Sequence, residues 1–313
     1  MFFELKPEVM NARHPRSVAI TKATFAVLVW GASFIATKLA LQETTPVVII
    51  CLRFGIGVLI LGLFVIARRE FAFPAPRELG YFSLLGFLGI TFHQWIQVTG
   101  LQTARATTTA WIITTIPIFI ALLARVMLKE RLGWTRIAGI ALATFGVLLV
   151  ITRGDLYAIR QGRFGTHGDF LVLISAVNWA VFSVLSRKAL NTHSATQMMF
   201  FVMFFGWLFS CLWLATTTDY ESIMRLSSQA WFSILFLGVF CSGIAYIFWY
   251  DGLKELPASQ MGSFLYLEPL VAVIVAALLL HEDLYIAVFV GGAAIVAGVW
   301  IVNRPTTVPS TPD

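Results

Sequence analysis

The sequence predicts an all-α polytopic membrane protein, ten transmembrane helices arranged as two inverted five-helix repeats. Three observations carry that expectation. First, the 313 residues are 58% hydrophobic and only 12% charged, where a soluble domain carries about 25% charged residues. Second, the apolar residues come in long blocks. Glu78 to Arg105 encloses 26 residues without Asp, Glu, Lys or Arg, Lys188 to Asp219 encloses 30, and Arg225 to Asp251 encloses 25. A helix needs roughly 20 residues to cross a hydrocarbon core of about 30 Å. Strand-type alternation is absent, which favours helices over a barrel. Third, the two halves of the chain repeat each other.

The charges that bound the apolar blocks place the spans in order near 18–41, 46–68, 78–101, 106–128, 133–152, 168–187, 194–217, 228–250, 257–280 and 284–303. The longest connection, "RGDLYAIRQGRFGTHGD" from Arg153 to Asp169, separates a first repeat over 18–152 from a second over 168–303. At an offset of 152, Gly86 meets Gly238, Gly100-Leu101 meets Gly252-Leu253, and Pro117 meets Pro269. Glu130 then meets Glu282, Gly139 meets Gly291, and Gly146 meets Gly298. Near the front the offset is 149, with Trp30 on Trp179 and Lys38 on Arg187. Such coincidences at one period mark an internal repeat.

An odd number of spans per repeat makes the second copy enter the membrane from the opposite side, and the distribution of Lys and Arg agrees. Basic connections of the first half are the N-terminal tail (Lys6, Arg13, Arg16), the turn at Arg68, Arg69 and Arg77, and the turn at Lys129, Arg131 and Arg136. The second-half counterparts of those turns, "TTTDYESIMRLSSQ" and "HEDL", are acidic or nearly neutral, and the basic residues move to Arg187-Lys188 and Lys254. Both termini are therefore expected in the cytoplasm, with Arg153, Arg160 and Arg163 as outside exceptions. The first 20 residues show no cleavable signal pattern, and the charge bias fits a multi-pass protein of the cell (inner) membrane. The net charge of +6 sits at span ends and reflects topology rather than nucleic acid.

Cys51, Cys211 and Cys241 fall inside apolar spans without motif spacing, which suggests neither a disulfide framework nor a metal site. No P-loop GxxxxGK[ST] occurs, so no cofactor is implied and ATP is not expected to drive the protein directly. No paired His/Asp cluster, zinc signature or nucleophile motif points to an enzyme.

Paired inverted repeats are an architecture of secondary transporters, with the site near the midplane between them. "WGASFIATKLAL" with "WAVFSVLSRKAL", "RFGIG", "GLQTARATTTA" with "GLKELPASQMG", and "IPIFIALLARVMLKERL" with "EPLVAVIVAALLLHEDL" carry a sharper resemblance. From about residue 20 to 303 the chain resembles a ten-helix EamA-type carrier of the drug/metabolite transporter superfamily. The resemblance implies a secondary transporter exporting small metabolites such as amino acids by alternating access. Relatives that move nucleotide sugars or lipid-linked sugars form the alternative, and a non-transporting scaffold or receptor is the reading from another class.

Candidate pathway residues are Glu268, His93, Gln97, Arg53, Trp111, Tyr246 and Tyr266, with Pro117 and Pro269 as helix breaks. Glu268 is the only Asp, Glu, Lys or Arg between Leu256 and His281 and stands directly before Pro269. Its counterpart is Ile116, so the carboxylate is an asymmetric addition to a symmetric proline. An unpaired carboxylate at mid-helix costs about 2.5–3.5 kcal/mol on insertion scales. Two readings stay open: backbone groups freed by the proline bond it, or it meets a substrate ammonium or carries a coupling proton. Gly86, Gly89, His93, Gln97 and Gly100 share one face at helical spacing, suited either to interhelical hydrogen bonds or to a pathway. On the eighth span Gly238, Ser242, Tyr246 and Trp249 repeat that pattern; on the fourth, Thr107, Trp111 and Thr114 share a face, as do Ser259, Ser263 and Tyr266 on the ninth. Arg53 lies about 10 Å into the second span, snorkelling or binding an anionic group. The small-residue runs "GIALATFG" and "GGAAIVAG" suit helix packing, and a homodimer across them is open.

Overall fold

The computed structural model describes residues 13–128, 134–155, 157, 165–190, 194–256, 261 and 264–303. The described elements are helical throughout. The first two spans are the unbroken helices Arg13–Ala40 and Pro46–Ala67. The third is a stack of Pro76–Gly86, a π-helical segment Phe87–Phe92, and His93–Leu101. The fourth breaks into Ala106–Ile113 and Ile116–Leu128, and Trp134–Thr152 is the fifth. In the second half, His167–Leu190 and Ala195–Leu214 are unbroken. The eighth span joins Ser228–Leu235, a π-helical segment Phe236–Ile244 and Ala245–Glu255. A 3-10 turn Leu265–Leu267 then leads into Glu268–Leu279, and Ile286–Asn303 ends the described chain.

Helix starts follow local chemistry. Pro46 and Pro76 open their helices, where the missing N–H costs nothing. Ala75 N donates to Glu78 Oε2 at 2.7 Å. Ser194 and Ser227 cap the seventh and eighth spans by accepting from Gln197 N at 3.2 Å and Ala230 N at 3.3 Å. Thr166 and Asp169 form a reciprocal capping pair, Thr166 N to Asp169 Oδ2 at 2.6 Å and Asp169 N to Thr166 Oγ1 at 3.2 Å.

The breaks in the fourth and ninth spans both precede a proline. Pro117 cannot donate to Ile113 O, and its ring crowds that carbonyl. The chain answers with Thr115 N to Ile112 O at 3.0 Å, an i−3 bond that closes the helix one turn early. Thr114 and Thr115 donate their hydroxyls to Ala110 O and Ile112 O at 2.9 and 2.6 Å. Pro269 sits second in its helix, after the 3-10 turn.

Glycine contacts display the twofold relation between halves. A Cβ on Gly139 would lie 2.8 Å from Gly298 O, and one on Gly146 would lie 2.5 Å from Gly291 O. Gly298 and Gly291 meet Gly139 O and Gly146 O in return, at 2.5 and 2.7 Å. Since Gly139 and Gly146 are the counterparts of Gly291 and Gly298, one antiparallel contact is made twice. "GIALATFG" and "GGAAIVAG" are thus spent against each other within the chain, on the fifth and tenth spans. Gly57 against Ser242 and Gly206 against Ile90 form a second such pair, each leaving no room for a Cβ on the glycine. Here the second span packs on the eighth and the seventh on the third.

Candidate functional site

Both π-helical segments widen a turn and leave a carbonyl without its i+4 donor. In the third span Leu88 O accepts from Asn178 Nδ2 at 2.8 Å; in the eighth Cys241 O accepts from Trp30 Nε1 at 3.0 Å. Asn178 and Trp30 stand on the equivalent sixth and first spans.

The π segment also turns the helix face. Gly86 packs on the seventh span, against Val202 O and Gly206 N, whereas Gly89 and Gly100 pack on Phe182 and Gly168 of the sixth. His93 follows the sixth-span side: Nδ1 is 3.1 Å from Ser175 O, and the ring lies 4.7 Å from that of Trp179. The single face expected for Gly86, Gly89, His93, Gln97 and Gly100 is therefore split, because a π turn inserts a residue that regular helical spacing does not count. The eighth span turns in the same way. Gly238 and Ser242 meet Ile56 and Gly57 of the second span, while Tyr246 meets Trp30 of the first edge-on and Trp249 meets it tilted, with ring centroids 5.5 and 5.2 Å apart.

Arg53 lies between these elements and is buried, with 6% of its surface exposed. Its Nε donates to Ser242 Oγ at 3.1 Å and its Nη1 to Gln94 Oε1 at 3.4 Å. The guanidinium also stands 4.8 Å from the Phe54 ring centroid. No carboxylate pairs with it among the described residues. A guanidinium carries five N–H donors, so donors remain for a ligand. Gln94, not Gln97, is the glutamine that reaches Arg53; Gln97 is half-buried and has no side-chain hydrogen bond among the described residues.

Glu268 begins the second segment of the ninth span and is half-buried. Its carboxylate makes no hydrogen bond or ion pair among the described residues. The helix carrying it presses on the first span, where a Cβ on Gly31 would lie 2.7 Å from Glu268 O. Ala272 and Ala276, one and two turns on, pack with Phe34 and Ile35. Cys241 and Tyr246 lie within electrostatic range of both Arg53 and Glu268, and His93 within range of Arg53. Arg53 and His93 thus lie near Tyr246, as does Glu268, and the Tyr246 ring stands 5.5 Å from that of Trp30.

Trp111 and Tyr266 belong elsewhere. They share a packing cluster with Ile118, Val273 and Ile295, and the Trp111 ring fills the space over Gly292, 2.4 Å from where its Cβ would stand. Thr107 is bound in capping, donating Oγ1 to Glu282 Oε2 at 2.8 Å, while Ala106 N donates to Glu282 Oε1 at 2.9 Å. Ser259 and Ser263, the proposed equivalents of Thr107 and Trp111, lie outside the described residues, as does Glu130. Gln94, Ser175 and Asn178 were missed by the sequence reading. Trp30 carried a signal there, its coincidence with Trp179, but no chemistry was attached to it.

The model of the EamA-like transporter family matches the chain twice, over residues 18–152 and 166–304. The chain belongs to the EamA-like transporter family. It is accordingly a multi-pass membrane transporter of the drug/metabolite transporter superfamily, built on that family's two-repeat fold. An uncharacterized transporter of Archaeoglobus fulgidus is 27% identical over 93% of this EamA-like chain and 98% of its own. A probable terminal-alkyne amino-acid exporter of Streptantibioticus cattleyicolor is 27% identical over 93% of this chain and 95% of its own. The uncharacterized transporter YyaM of Bacillus subtilis is 27% identical over 79% and 81%. A solved crystal structure of 21% identity aligns with a TM-score of 0.62 over 92% of this chain and 98% of its own, a likeness of fold alone.

Proposed function

We propose that this transporter exports small zwitterionic metabolites, amino acids foremost, by alternating access between its two repeats. The proposal sets it in the inner membrane with both termini in the cytoplasm, as the bias of basic loops suggests. The observation that carries the substrate reading is a guanidinium at Arg53 and a carboxyl at Glu268, neither paired with an opposite charge among the described residues, with Tyr246 near both. A carboxylate finds a bidentate partner in a guanidinium, an ammonium finds one in Glu268, and the aromatic walls accept an apolar side chain. The amino-acid exporter among the relatives supports this class. Buried charge without a partner is costly, and a ligand bearing both signs offsets that cost at both poles.

The test is counterflow in proteoliposomes preloaded with unlabelled amino acids, for wild type and Glu268→Gln side by side. Uptake of labelled amino acid by the wild type, lost in a Glu268→Gln protein that melts normally, is the expected result. Normal counterflow by that variant sinks the role of Glu268, and silence of folded wild type across the panel sinks the substrate class.

A further inference from the structure

The spacing of the three cysteines joins none of them, yet the fold brings two together. Cys51 stands in the second turn of the second span and Cys211 in the last turn of the seventh. Their sulfurs are in contact at 2.6 Å. They share a packed cluster with Val47, Val48, Leu214 and Trp207. The loops just beyond are tied across the same boundary: Thr44 Oγ1 to Ser222 Oγ at 2.6 Å, Thr45 Oγ1 to Asp219 Oδ2 at 3.1 Å, and Glu43 to Ser227. Cys241 is buried far along the eighth span, its sulfur 3.6 Å from Val29 O, and meets neither of the others.

We propose that Cys51 and Cys211 are a modification site: a reversible disulfide that joins the second span to the seventh, one helix from each repeat. The bond forms by exchange with an external disulfide, the oxidised dithiol of a thiol–disulfide oxidoreductase or an oxidised small thiol. Cys211, half-buried where Cys51 is buried, attacks first as thiolate and releases one external thiol. The Cys51 thiolate then attacks the Cys211 sulfur of the mixed disulfide and releases the second. Two protein thiols are oxidised, one external disulfide is reduced, and the two protons end on the departing thiols. The pair lies at the end of the bundle away from residue 13, so the orientation proposed above sets it toward the oxidising compartment, and formation in the cell rests on that reading.

Cells making the full chain are quenched in acid, their free thiols are capped with light maleimide, and the protein is reduced and capped with heavy maleimide. A parallel arm treats purified, reduced protein with diamide before the same labelling. Heavy label on Cys51 and Cys211 together, with Cys241 light, is expected in both arms. Cys211→Ala, which removes the attacking thiolate, should leave the buried Cys51 light, and dithiothreitol before quenching should make every cysteine light. Light label on both partners in both arms overturns the site, as does heavy label on Cys51 that persists in Cys211→Ala. Pairing with diamide alone overturns formation in the cell and counts against the proposed orientation, leaving the counterflow result untouched.

Discussion

The two repeats share a backbone and differ in chemistry. The third and eighth spans each carry a π-helical segment at the same place, each with a carbonyl answered by a side chain from the equivalent first or sixth span. The fourth and ninth spans each break before a proline. Beside those common devices the side chains diverge: Ile116 against Glu268 before the two prolines, Gly206 meeting Ile90 where Gly57 meets Ser242. Where only the scaffold is at stake the halves are interchangeable. Arg53 of the first repeat and Glu268 of the second each lack a charged counterpart, so the proposed site belongs to neither repeat alone.

The comparison breaks or sharpens at several points. The largest effect is expected where the halves are most alike. Gly146→Leu and Gly298→Leu each drive a side chain into the opposed backbone, and overpacking of about 1–3 kcal/mol or more should follow. Both should lower the melting temperature in detergent by similar amounts; a tolerated change on one side alone would show that the equivalence is nominal.

Next comes the asymmetric position. Ile116→Glu should cost stability by about 2.5–3.5 kcal/mol, as an intramembrane carboxylate without a ligand does. Glu268→Gln should instead keep the melting temperature and cut exchange at least tenfold, about 1.4 kcal/mol. A destabilised Glu268→Gln protein would make the carboxylate part of the scaffold.

A smaller, matched pair probes the π segments. Trp30→Phe and Asn178→Ala each remove the donor to a π-segment carbonyl, at about 0.5–1.5 kcal/mol. Thermal melts of the two should agree within that range, and one neutral substitution would show that backbone bonds already satisfy its carbonyl, as His93 N–H does for Leu88 O.

The smallest effect lies at the loop end, where the repeats are tied by Glu43 and Ser227. Hydrogen bonds from the Ser227 hydroxyl and amide, at 2.5 and 2.7 Å, hold the Glu43 carboxyl below its ordinary value of 4.5. A carboxylate whose folded value is depressed stabilises above its unfolded value and loses that contribution as pH falls through the folded one. Ser227→Ala should move the Glu43 titration upward toward 4.5 and remove part of the acid-side loss of stability, read by melts below pH 5. No change in either would detach this contact from the pH response.

Much of this architecture was legible because it is written in composition and in coincidence. Charge-free blocks gave the spans, and glycines and prolines at one offset gave the repeat, since those residues mark backbone positions where little else fits. Boundaries differ by up to five residues at the described ends: the first helix starts at Arg13 instead of 18, the third span at Pro76 instead of 78, and the eighth ends at Glu255 instead of 250. Facing was harder. The sequence carries no mark for a π turn, so helical spacing carried through Phe87–Phe92 picked Gln97, while the added residue brings Gln94 to Arg53. Contacts between repeats were out of reach for the same reason that makes them informative. Cys51 and Cys211 are 160 positions apart, and only the packing of the second span on the seventh joins them.

The crossing of the fifth and tenth spans has one more implication. Gly139 on Gly298 and Gly291 on Gly146 are two copies of a single self-complementary contact, the form taken by an isologous interface between identical subunits. A chain half this long, inserted in the membrane in both directions, would make the same contact with a second copy of itself. The glycine crossing therefore has the shape of a seam along which two once-separate proteins became one, and the charges at Arg53 and Glu268 are what a fused chain can hold and an identical pair cannot: one of each, in one place.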